Sequence, residues 1–111
     1  MPQVRFYETA AGNEVVLDFI RQQPADDRKV LGRDLKVLEL RHPVGMPLCK
    51  HLKNDLWELR SSLPSKREAR LIYFFHGKRQ MIVVLHGFIK TTRTTPQSEL
   101  KIAEKRRKEF G

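Results

Sequence analysis

Cysteine occurs once, at Cys49, so no intramolecular disulfide can form and no cysteine pair can hold a metal. The four histidines, His42, His51, His76 and His86, are scattered without the spacing of metal ligands. There is no glycine-rich phosphate loop and no G-x-S-x-G elbow, which removes the commonest nucleotide-binding and serine-hydrolase signatures. No apolar run approaches the roughly 20 residues a membrane helix needs. The opening MPQVRFYETA lacks the apolar core of a signal peptide. These absences set the expectations of no metal, no cofactor, no membrane association and a cytoplasmic location.

What is present is basic charge, and it is unevenly placed. The 111 residues carry a formal net charge of +9, and their length suits one domain spanning 1–111. Residues 1–49 hold seven basic and seven acidic side chains, residues 50–96 ten and three, and residues 97–111 five and three. The excess therefore sits on the central segment, the pattern expected of a surface that meets phosphates. A solvated face or an acidic protein partner would account for the same charge.

The order of elements reads as β-α-α-β-β-β-α. Gln3–Tyr7 alternates as a short strand. A helix carrying Val16, Phe19 and Ile20, capped by Thr9 or Asn13, stops before Pro24. A second helix, with Leu31, Leu35 and Leu38 as its stripe, ends at Pro43. His42–Pro47 reads as a loop. Leu56–Arg60 and Ala69–Phe75 read as strands, Gly77–Arg79 as a hairpin turn, and the all-apolar Met81–Leu85 as a strand buried on both faces. HGFIKTTRTTP then reads as a loop before a charged helix over Gln97–Phe110. The expected architecture is α/β of the α+β kind: two N-terminal helices on a small, mainly antiparallel sheet, with a C-terminal helix.

With conventional catalytic motifs missing, any chemistry falls to arginine, lysine and histidine. RNA permits that, because its 2′-hydroxyl is a built-in nucleophile. Arginine can neutralise an added phosphorane charge with its planar fork, and lysine can carry a proton if neighbouring cations lower its pKa. The candidates are Arg60, Arg70, Lys90 and Arg93. Arg70 is expected at the rim of the sheet, exposed and of little weight for stability. Arg60 either faces a ligand or pairs with Glu58 on the surface. Trp57 suits the core better than a base-stacking platform, and His86 suits a satisfied structural role better than proton donation.

Three segments, Leu56-Trp57-Glu58-Leu59-Arg60, Arg70-Leu71-Ile72-Tyr73, and His86-Gly87-Phe88-Ile89-Lys90 through Thr95-Pro96, resemble in order the motifs of the HigB branch of RelE/ParE-type toxins. Thr91 stands where that branch often has a second lysine, and Thr94 where it often has a basic residue. The resemblance implies a RelE-like fold and a type II toxin. Such a toxin is an endoribonuclease that cuts mRNA on the translating ribosome without a metal, silenced by a cognate helix-turn-helix antitoxin of the HigA kind. It implies that Arg70 and Arg60 stabilise the phosphate while Lys90 and Arg93 position RNA or move protons. Lys50, His51, Lys53, Lys66 and Arg67 are expected to hold the RNA backbone. The rival is a ParE-like protein that inhibits DNA gyrase through protein contacts.

Overall fold

The alternating, β-branched and aromatic segments build one five-stranded sheet in a computed structural model that describes residues 2–110. Strands β1 (Gln3–Phe6), β2 (Cys49–Lys53), β3 (Leu56–Ser62), β4 (Glu68–His76) and β5 (Met81–Lys90) lie in the order β1-β5-β4-β3-β2. β1 runs parallel to β5, and the other neighbours are antiparallel. The helices are α1 (Val15–Arg21), α2 (Ala25–Arg41) and α3 (Gln97–Arg107). The expected fold class is found, and the expected order of elements with one strand added.

Strand alternation divides the sheet into two faces. Leu59, Leu71 and Gly87 share a register row on one face, where Phe19 of α1 packs against Leu71 and closes over Gly87. Ser61 lies on that face too, and its hydroxyl donates to Asp34 of α2 at 2.7 Å. A Cβ at Gly87 would meet Phe19 at 2.7 Å and Leu71 at 2.8 Å, so glycine is what lets α1 approach the sheet. Val16, Leu31, Leu35 and Leu38 supply the buried helical side of this layer.

α3 covers only part of the opposite face. Leu100 and Ala103 are its buried residues. It is held by His86 Nε2 against Glu99 at 3.2 Å, by the Arg107 guanidinium 3.9 Å over the Phe74 ring, and by Lys53–Glu104 at 3.0 Å. The rest of that face, around the end of β5, is left open.

Several expectations change. β2 was not anticipated; its residues had no strand reading of their own, and they form the edge beside β3. His86–Lys90 is strand, not loop: β5 continues past a register shift between Ile72 and Tyr73, where Leu85 is the extra residue. α1 begins at Val15 after Glu14, and neither Thr9 nor Asn13 caps it; they bond to each other in a turn, Asn13 N donating to Thr9 Oγ1 at 3.0 Å. α3 ends at Arg107, short of Phe110. The largest change concerns Arg70. It is not exposed at a rim but 3% accessible, because the β4 segment Ala69–Phe74 is buried throughout.

Candidate functional site

On the open part of the α3 face lies a cavity of about 220 Å³, lined by Lys50, His51, Leu52, Glu58, Arg60, Lys90, Arg93, Thr94, Thr95 and Leu100. Register explains the convergence. Lys50 lies opposite Glu58 on β2 and β3, and Arg60 opposite Arg70 on β3 and β4; Arg70 in turn faces Phe88 on β5. Lys90 is two residues beyond Phe88 and so shares its face. Arg93, Thr94 and Thr95 reach the cavity from the β5–α3 connection.

The walls are cationic and the floor is an ion pair. Arg70 donates to Glu68 Oε1 at 3.3 Å and to the Ala69 carbonyl at 3.0 Å, and its Nε lies 3.9 Å from Glu58 Oε1 without a hydrogen bond. Glu58 is itself 3% accessible, and Thr95 donates its hydroxyl to Glu58 Oε1 at 2.8 Å. That bond ties the β5–α3 connection to β3. Lys90 Nζ donates to the Arg93 carbonyl at 2.6 Å, which bends the connection back over the cavity. Partial loss of water pulls the Lys90 ammonium below the usual lysine pKa, and the charges of Arg70, Arg60 and Lys50 add to this while Glu58 opposes it.

The cavity gathers Lys50, Arg60, Lys90 and Arg93. Arg70 lies beneath it. The His51 ring also lines the cavity, packed edge-on to Trp57 at 5.2 Å with Nε2 2.7 Å from the Asn54 carbonyl. Lys53 is engaged with Glu104. Lys66 is exposed in the β3–β4 turn, and Arg67 is committed to Asp27 at 3.1 Å and to Gln23 at 2.7 Å; neither lines the cavity. His86 is half-buried between Glu99 and Arg106, with burial first among the causes that lower its pKa. Glu58 and Thr95 were missed as site residues. The signal for Glu58 was a charge set within LWEL on the face that also carries Arg60.

The arrangement can hold a phosphate on several sides and has a proton carrier at its mouth. No group of three or more metal-ligating side chains occurs among the described residues, and no helix there is long and apolar enough to cross a membrane. Among protein families, the model for Phage derived protein Gp49-like (DUF891) matches residues 18–108. The chain belongs to the Gp49-like family. Its motif-bearing strands, the β5–α3 connection and all of α3 lie within the match. No curated protein matches this Gp49-like chain. Among solved structures, the isolated E. coli RelE toxin superposes with a TM-score of 0.54 at 20% identity, over 91% of this chain and 96% of that one. The Gp49-like protein thus has the fold of the RelE toxin.

Proposed function

We propose that the protein is the toxin of a type II toxin–antitoxin system, on the HigB branch, and that it is an endoribonuclease cutting mRNA on the translating ribosome. The observation that carries this reading is the convergence of Lys50, Arg60, Lys90 and Arg93 on one cavity in a protein with the RelE fold. Arg60 and Arg93 bond the non-bridging oxygens of the scissile phosphate and take up charge as the phosphorane forms. Lys50 holds the neighbouring backbone phosphate. Lys90, with its lowered pKa, gives a proton to the departing oxygen. Arg70 acts from below, through its charge and by fixing Glu58 and Glu68. The cations do the work a metal would otherwise do, so cleavage is expected to persist in chelator. A HigA-like helix-turn-helix antitoxin that covers the cavity with acidic side chains is the matching partner.

The test is induced expression with primer extension on translated mRNA, run beside plasmid supercoiling. New 5′ ends within coding sequence and unchanged supercoiling are expected. Altered supercoiling with intact mRNA would favour the gyrase-directed alternative.

A further inference from the structure

The cavity contains many proton donors and very few acceptors. Arg60, Arg93 and Lys50 cannot accept a proton as cations, Lys90 Nζ is already donating to a carbonyl, and the His51 ring, though it too lines the cavity, is packed against Trp57 with Nε2 on the Asn54 carbonyl. Glu58 is the sole carboxylate in the lining. One of its oxygens, Oε1, is taken by Thr95. Among the described residues Oε2 accepts no hydrogen bond. Nor is it sealed from solvent, as His42 Nδ1 and Arg70 Nε are, and its residue lines the cavity.

A buried carboxylate is costly unless something requires it. Neutralising Arg70 does not require Glu58, because Glu68 bonds that guanidinium directly at 3.3 Å while Glu58 stays 3.9 Å from it. Tethering Thr95 uses a single oxygen, and a neutral amide would serve as well. What a carboxylate adds over that amide is a basic oxygen on a side chain that lines the cavity.

We infer that Glu58 is the general base of the cleavage reaction, with Oε2 receiving the proton of the RNA 2′-hydroxyl. The inference rests on the ribonuclease reading above. As that proton passes to Oε2, the 2′-oxygen bonds to the adjacent phosphorus. The bond from phosphorus to the 5′-oxygen breaks, and that oxygen takes a proton from the Lys90 ammonium. The products are a 2′,3′-cyclic phosphate and a 5′-hydroxyl. Glu58 then returns its proton to Lys90 through water, so no further reagent is consumed. The Thr95 bond fixes the carboxylate plane.

The variant Glu58→Gln tests this, since it keeps the shape and can still accept from Thr95. Single-turnover cleavage of ribosome-bound mRNA, ribosome co-sedimentation and a melting curve are measured together. Cleavage should fall by about 10² to 10⁴-fold, the usual contribution of a general base. Co-sedimentation should hold or strengthen, because a negative charge is lost. Glu58→Asp should recover part of the rate. Thr95→Val, which leaves the carboxylate in place, should cost roughly tenfold or less. A Glu58→Gln protein that cuts at the wild-type rate overturns the assignment, as does one whose loss of cleavage is matched by loss of folding or binding. A wild-type protein that cuts no RNA overturns the ribonuclease reading itself.

Discussion

Arg60 and Arg70 stand directly opposite one another on β3 and β4, yet the first opens on the cavity and the second is sealed beneath it. Like charges in facing positions repel. Glu58 and Glu68, which flank Arg70 at 3.9 and 3.3 Å, offset that cost. The two arginines should therefore fail differently. Arg70→Ala leaves a buried Glu58 without its cation and should destabilise the fold by about 3–5 kcal/mol. Arg60→Ala should change stability by about 0.5 kcal/mol or less, and lower cleavage by about 10² to 10³-fold. Urea titration beside primer extension separates the two effects. An Arg70→Ala protein as stable as wild type would contradict the buried ion pair.

On the proposed function, salt should weaken binding to ribosomes steeply, because phosphate would be met through side-chain cations. Lys50 and Lys53 should not contribute alike. Lys50 is exposed at the cavity, whereas Lys53 is engaged with Glu104 of α3. Reversing Lys50 to Glu should lower affinity and flatten the salt slope, and reversing Lys53 should act more on the seating of α3. Co-sedimentation across a salt series, read beside a melting curve, distinguishes them.

Gly87→Ala should destabilise the protein by about 1–3 kcal/mol, as overpacking does in a filled core. The added methyl meets Phe19 and Leu71 at under 3 Å. Phe19→Leu in the same chain should recover part of the loss, measured as the urea midpoint. Strict additivity of the two changes would mean that the contact does not exist.

Asp27 supplies a pH dependence. The Ser65 hydroxyl bond leads the causes that hold its carboxyl below the ordinary aspartate range, with Arg67 helping and burial opposing. A group depressed in the folded state stabilises above its unfolded pKa and loses that contribution as pH falls through the folded value. Asp27→Asn should therefore be less stable than wild type near neutrality, with the gap closing as pH falls below about 3.8. Thermal melts from pH 7 to pH 3 test it. A gap that stays constant would show that Asp27 does not act through ionisation.

Element order was legible because hydrophobic period and turn chemistry agreed along most of the chain. MIVVL was readable as a central strand, and it lies between β1 and β4 with Ile82 to Leu85 buried. β2 escaped because Lys50-His51-Leu52-Lys53 has neither apolar alternation nor branched residues; its pairing with β3 makes it a strand. The continuation of β5 escaped because the extra residue at Leu85 breaks the period and Gly87 looks like punctuation, although it marks a close helix approach. At the site, the cations were visible as charge. Glu58 was passed over because a carboxylate two residues from Arg60 reads as a surface partner. It is held by Thr95, far along the chain, which the local sequence does not reveal.

The parallel pairing of β1 with β5 joins Gln3 to Met81 and Phe6 to Val84. Such a contact closes a loop spanning most of the chain, and loop closure of that kind slows folding. During synthesis the first strand has no neighbour to pair with until the last strand has emerged. The cavity needs the same late segment, because Lys90 and the Arg93–Thr95 connection follow directly from β5. Edge closure and completion of the cavity thus fall together, late in the synthesis of the chain.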